Sequence, residues 1–209
     1  MTDKKNIRII IFAKAPQANF AKTRLIPALG AEGAANIAYL MLENTLSGAI
    51  GTGVGKVELC VTPDFTSTAW QGVKIPVGVE VSYQGEGDLG ERMECAAQRA
   101  LLQGEAVILI GTDCIEMSAV LLIEAIQSLD SNDTVIYPTA DGGYALLGLR
   151  QFDPSVFNDI VWSTSEVACR TILKIKQLNW SIHVGKSLHD VDTPDDLEHV
   201  PEEWLYAAH

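Results

Sequence analysis

Short apolar runs rich in β-branched residues recur along the chain at residues 7–12, 56–61, 79–83, 106–110, 134–137, 144–149 and 181–184. Runs of this length and composition predict strands. Between them, apolar positions recur at helical spacing over 33–49, 91–102, 118–129, 165–178 and, briefly, 194–200, with Ser118 placed to cap the third of these. The alternation predicts an α/β protein with a mostly parallel central sheet and helices on both faces. The runs at 7–12 and 106–110 are almost wholly apolar, as central strands of such a sheet are, so ligands are expected at their C-terminal ends. No repeat, low-complexity tract or linker interrupts the pattern, and a single domain over 1–209 is expected.

Composition narrows the classes. The chain has 209 residues, 47% apolar and 20% charged, with 15 Lys+Arg against 27 Asp+Glu and a net charge of −12. A chain of this size buries roughly 70% of its unfolded surface, so its core needs neither disulfides nor a structural metal. The acidic balance, with pI near 4.6, argues against nucleic acid or an anionic membrane as partner. A polyanionic ligand would have to be met by a few local cations or a bound metal. The widely spaced Cys60, Cys95, Cys114 and Cys169 form no paired motif and read as reduced thiols of a cytoplasmic protein. Lys4, Lys5 and Ala13-Lys14-Ala15 imitate a signal peptide, but Arg8 breaks its apolar stretch. No uncharged run approaches the ~18 residues of a membrane span.

Two glycine motifs mislead. Gly51 to Lys56 mimics a phosphate-binding loop but has Ile50 in place of its first glycine, Val57 in place of the hydroxyl, and precedes a strand. Gly85-Glu-Gly87-Asp-Leu-Gly90 matches a dinucleotide fingerprint, yet it follows the third strand, and Glu86 and Asp88 would set carboxylates beside a pyrophosphate. It reads better as a strand-to-helix turn from which Asp88 and Arg92 could face a cleft.

Four segments carry candidate chemistry. The loop after the first strand holds Lys14, Lys22, Thr23 and Arg24, a local cation cluster suited to a diphosphate, or else a solvated loop. Gly111-Thr-Asp113-Cys114 sets a carboxylate at the end of a buried strand, suited to Mg²⁺ or Mn²⁺ or to capping a turn. Asp141-Gly142-Gly143-Tyr144 is first a hairpin signal, and second a carboxylate able to hold a sugar hydroxyl or take a proton. From Thr193 to Asp196 the chain reads as a helix start, which leaves Asp190 and Asp192 unexplained and, around Val191, pointing to one side. The four histidines, His183, His189, His199 and His209, suggest no triad or zinc site.

In order, the pieces FAKAP with KTRL, GDLGERM, GTDC, DGGYALLGL, VWSTSEV and DVDTPDDL span residues 12–197. The set resembles the small bacterial GT-A-like transferases of the nucleotide-diphospho-sugar transferase superfamily, the DUF2064-type proteins. That resemblance implies a single-domain GT-A-like fold. It also implies a nucleotide diphosphate on Lys14, Lys22, Thr23 and Arg24, with Asp88 and Arg92 nearby. Mg²⁺ or Mn²⁺ would lie on Asp113 and Asp192, with Asp141 as base and Gly142, Gly143, Tyr144 and Trp162 towards the sugar or acceptor. The sequence departs from the family pattern at Asn19 (usually glycine), Ile115 (usually proline) and Ala145 (usually tyrosine), and GTDC holds one aspartate where GT-A enzymes carry a D-x-D pair. The resulting expectation is a metal-assisted glycosyltransferase with a nucleotide-sugar donor and a small-molecule acceptor, binding its nucleotide weakly without metal. The alternatives are a nucleotidyltransferase that releases pyrophosphate and a non-catalytic nucleotide-sugar binder. Neither nucleic acid nor a membrane span is expected, and a homo-oligomer is left open.

Overall fold

The structure is a computed structural model that describes residues 6–207. The lysines of the signal-like N-terminus, Lys4 and Lys5, and His209 lie outside the described residues. Seven strands form one sheet: β1 (Ile7–Lys14), β2 (Lys56–Thr62), β3 (Val79–Tyr83), β4 (Ala106–Gly111), β5 (Thr134–Pro138), β6 (Tyr144–Leu149) and β7 (Ile182–Val184), in the order β3-β2-β1-β4-β6-β5-β7. All neighbouring pairs are parallel except those of β6, which runs antiparallel to β4 and β5. The Asp141-Gly142 signal is accordingly the turn of the β5–β6 hairpin.

The helices are α1 (Ile26–Gly51), α2 (Leu89–Leu102), α3 (Ala119–Ser128), α4 (Val167–Gln177) and α5 (Glu202–Ala207). Strand β1 is buried on both faces. Its Ile7, Ile9 and Ile11 pack with Leu42 and Leu46 of α1 and Leu121, Leu122 and Ala125 of α3. Ile10 packs oppositely, with Met93, Ala97 and Ala100 of α2 and Ala168 and Ile175 of α4. A third cluster joins Ile37 and Met41 of α1 to Val191 and Val200, and so fastens the C-terminal segment to the domain.

Several predicted boundaries shift. The helix expected at 33–49 begins at Ile26 and breaks at Gly30, whose φ of 72° is left-handed. The helix expected at 91–102 starts at Leu89, and the one expected at 194–200 is a 3₁₀ turn, Pro194–His199. Ser118 caps α3 as expected, accepting from the Leu121 N–H. Helix α5 carried no recognised signal. The segment from Thr23 to Gly51 is long and apolar enough to cross a membrane by composition. Its buried Ile37, Met41, Leu42, Leu46 and Ala49 instead form core. Gly55, at φ +74°, ends the turn into β2 where a Cβ would meet the Ile7 carbonyl at 2.3 Å. That close approach accounts for Gly55 of the segment that mimics a phosphate loop.

The N-terminal ends of the strands are closed by charge. Arg8 on β1, 3% exposed, donates to Glu105 at 2.6 Å, Glu58 at 2.8 Å and Glu80 at 2.5 Å. The opposite, C-terminal ends are open.

Candidate functional site

Strands β1 and β4 lie side by side and parallel, with Phe12 opposite Gly111. The chain leaves β1 towards β2 and leaves β4 towards β5 on the other side of the sheet, so their C-terminal ends mark the point where strand order reverses, the position at which such sheets open a binding crevice. A cleft of about 610 Å³ opens there. The loop after β1 lines it with Lys14, Phe20, Lys22, Thr23 and Arg24, and the end of β4 with Gly111, Thr112 and Asp113. The hairpin contributes Thr139, Asp141, Gly143 and Tyr144, and the cleft is completed by Trp162, Asp190 and Asp192.

Asp113 and Asp192 are distant in sequence but adjacent in space. Beyond β4 the chain pairs with the C-terminal segment: Cys114 bridges Asp190, and the Val191 N–H donates to the Asp113 carbonyl at 2.9 Å. Buried Val191 points into the third cluster, which turns its neighbours Asp190 and Asp192 together to the cleft. The Asp196 carboxylate accepts from the Asp192 and Thr193 N–H groups and from the Thr193 hydroxyl, fixing that turn.

Lys22 closes the constellation. Its ammonium pairs with Asp113 and, at 2.9 Å, with Asp192, and donates to the Val191 carbonyl at 2.6 Å. Its side chain is 7% exposed. Burial alone would lower the Lys22 pKa, but Asp113 and Asp192 outweigh it and hold it above the ordinary lysine value. Lys22 therefore faces carboxylates, whereas Arg24, 73% exposed and 4.0 Å from Asp192, and exposed Lys14 and Thr23 face the open cleft. Lys14 also stands 4.2 Å over the Phe20 ring. Asn19 adopts φ 62°, the left-handed conformation a glycine would take and one that asparagine tolerates, so this departure preserves the loop's path.

Asp190 received no role from its sequence, although its unexplained, same-side placement beside Asp192 was the available signal. Burial, reinforced by Asp141, Asp192 and Asp113, pushes its carboxyl up to about 7. Asp141 accepts from the Thr139 hydroxyl at 2.6 Å and the Gly143 N–H at 2.9 Å, so it organises the hairpin while facing the cleft. Tyr144 and Trp162 meet edge to face, with centroids 6.5 Å apart.

Three expected site residues stand elsewhere. Asp88 caps α2, accepting from the Glu91 N–H at 2.9 Å while Glu91 reaches back to the Asp88 N–H at 2.8 Å, so its carboxylate serves the helix terminus. Arg92 turns away into a separate groove between β3 and α2, where it donates to Gln84 at 3.4 Å. Gly142 does not line the cleft; at φ +93° it lies under the loop carrying Trp162, where a Cβ would meet the Ser165 carbonyl at 2.1 Å. Gln84, which donates to the Ala13 and Cys60 carbonyls and lines the cleft, had no sequence signal.

The donor chemistry fits a hard divalent cation: two carboxylates already share one positive charge, and a third, Asp190, lines the same cleft. Among the described residues no three metal-ligating side chains are gathered for an ion as they stand. The shared point is taken by the Lys22 ammonium.

A family model described as an uncharacterized protein conserved in bacteria, DUF2064, matches residues 45–164. The chain belongs to this family. A protein of Desulfovibrio desulfuricans G20, provisionally named a nucleotide-diphospho-sugar transferase, is similar over 92% of this chain and 85% of its own, with 31% identity and a TM-score of 0.84. Rv0371c of Mycobacterium tuberculosis H37Rv, solved in complex with manganese, shares 16% identity over 95% of this chain and 99% of its own at TM-score 0.58. The 4-diphosphocytidyl-2C-methyl-D-erythritol synthase of Anaerococcus prevotii shares 15% over 96% and 99% at TM-score 0.56. At these last identities the likeness is one of fold. No curated protein sequence matches the chain. The chain thus has a GT-A-like, nucleotide-diphospho-sugar transferase-type fold, and its solved structural neighbours include transferases.

Proposed function

We propose that this chain is a transferase that moves a sugar from a nucleotide-diphospho-sugar to a small-molecule acceptor. The observation that carries this reading is the meeting of Lys22, Asp113 and Asp192 at the strand-order reversal, with Arg24 exposed at the mouth. A diphosphate needs cations at the point where negative charge grows as the nucleotide departs, and the loop after β1 offers Arg24 and Lys22 for it. Asp113 and Asp192 would hold Mg²⁺ or Mn²⁺, and the manganese complex of Rv0371c supports a metal in this fold. Such an ion, when bound, would supply further neutralisation of the diphosphate. Asp141 and Asp190 line the same cleft, and one of them would receive the proton of the attacking hydroxyl. The free thiols suit a reducing compartment such as the cytoplasm.

A second reading, nucleotidyl transfer, is favoured by the exposed Thr23-Arg24 pair together with the fold shared with the diphosphocytidyl-methylerythritol synthase. Product analysis separates them. Release of nucleoside diphosphate from a nucleotide-sugar supports sugar transfer, and release of pyrophosphate from a nucleoside triphosphate supports the second reading. Binding of nucleotide-sugars with neither product would leave a non-catalytic binder.

A further inference from the structure

We infer that Lys22 is the resident occupant of the divalent-cation position, and that a metal enters only by displacing its ammonium from between Asp113 and Asp192. The inference rests on the transferase reading for its purpose, but its physical basis is local. The ammonium has three donors, and all three are spent inside this cluster: one on each carboxylate and one on the Val191 carbonyl. A divalent ion taking the same Oδ1 atoms of Asp113 and Asp192 that Lys22 now holds would have to stand where Nζ stands, since two positive charges cannot share that point.

The exchange is assigned to the Lys22 side chain. Lys22 sits at φ 47° and ψ 40° immediately before the short turn Thr23–Leu25, and the fully buried Leu25 anchors that turn. The flexible part is the four-carbon stem, which can swing Nζ towards the cleft mouth beside Arg24 while remaining protonated. At the mouth the ammonium lacks the carboxylates it left, and a phosphate group is the partner that would replace them. Metal and phosphate therefore favour each other's binding reciprocally: the metal frees Lys22 for phosphate, and phosphate holds Lys22 off the carboxylates. The expected weak nucleotide binding without metal gains a partner statement, weak metal binding without nucleotide.

The test uses Mn²⁺ alone on the full chain, without nucleotide, so that it can fail independently of the product assay. Free Mn²⁺ is followed by electron paramagnetic resonance during titration of the wild type, Lys22→Met, and Lys22→Met combined with Asp113→Asn. Exchange predicts that Lys22→Met binds Mn²⁺ tighter by about tenfold or more, because the competing charge is gone, and that adding Asp113→Asn removes the gain. In parallel, acylation of Lys22 in the wild type by acetic anhydride, read by mass spectrometry, should be slow and should quicken several-fold at saturating Mn²⁺. This second measurement needs no variant and stands even where Lys22→Met folds poorly. Equal Mn²⁺ affinity in wild type and Lys22→Met, or Lys22 labelling unchanged while Mn²⁺ is bound, overturns the inference, as does the absence of Mn²⁺ binding in both proteins.

Discussion

Trp162 is seated directly on Gly90: a Cβ at that glycine would lie 2.4 Å from the indole Nε1 and 2.7 Å from two further ring atoms. The third glycine of the G-x-G-x-x-G motif thus serves an aromatic wall of the cleft. The same ring meets Tyr144 edge to face. Helix propensity alone would favour alanine over glycine by about 1 kcal/mol. A confined indole cannot yield as a flexible chain end would, so overpacking of about 1–3 kcal/mol should win. Gly90→Ala is expected to lower the melting temperature, while Gly90→Ala in a Trp162→Ala background should be neutral or stabilising. Calorimetry of this double-mutant cycle checks it, and a neutral Gly90→Ala in the wild type refutes the packing argument.

At the closed end of the sheet, Arg8 compensates buried Glu58 and Glu105, which are 1% and 3% exposed. Burial would push both carboxyls up. Bonds from Arg99, Ser82 and Arg8 to Glu58, and from Arg8 and Lys56 to Glu105, outweigh it and hold both below their ordinary range. Depressed folded pKa values mean that this contribution is present above the unfolded value, 4.5, and is lost as pH falls through the folded values. Melting temperature should therefore fall on acidification below about pH 4.5. Arg8→Met, which removes the cation the two buried carboxylates share while Arg99 still holds Glu58 and Lys56 still holds Glu105, should cost up to about 3 kcal/mol in urea unfolding at neutral pH.

The carboxylate pair makes a sharper, non-additive prediction. Asp113 and Asp192 are 54% and 44% exposed, so each alone contributes little more than a surface pair, about 1 kcal/mol or less. Lys22, however, is buried, and either carboxylate can still serve it when the other is neutralised. Asp113→Asn and Asp192→Asn should each be mild in stability, while the double variant should cost more than their sum because the ammonium is then left without a counter-charge. Turnover should respond differently, falling about 10²–10³-fold in either single variant. Strict additivity in denaturant melts would mean that Lys22 does not bridge the two.

How far the sequence was legible follows from which interactions are local. Strands β1 and β4 were readable because burial on both faces writes continuous apolar runs, and Lys22, Asp113 and Asp192 because each follows or flanks a recognisable element. The meeting of Asp113 and Asp192 was implied by the family resemblance and by no local pattern, because it depends on Val191 packing under α1 and on the pairing of Cys114 with Asp190, and the place of Lys22 between them was not readable. Asp88 was mistaken for a cleft residue although Glu91, three residues on, completes a capping box that is visible in the sequence. Gly90 and Trp162 lie far apart in the chain and show no pattern that links them.

Thiol chemistry offers a check on the C-terminal segment. Cys95 on α2 and Cys169 on α4 are exposed, whereas Cys60 and Cys114 are buried. The thiolate is the reactive form. Burial raises the Cys60 pKa and, with Glu116 and Asp190 adding to it, pushes Cys114 up to about 12. Native protein treated with iodoacetamide should therefore take label rapidly on Cys95 and Cys169, and on all four cysteines only after unfolding. Cys114 adjoins Asp113 and bridges Asp190, so lifting of the segment bearing Asp190 and Asp192 would uncover it. In the Asp113→Asn/Asp192→Asn variant, where the Lys22 clamp is gone, label on Cys114 should appear at lower denaturant than label on Cys60, which sits within the sheet. Simultaneous labelling of the two would mean that this segment opens only with the whole domain, and that Lys22 adds nothing to holding it.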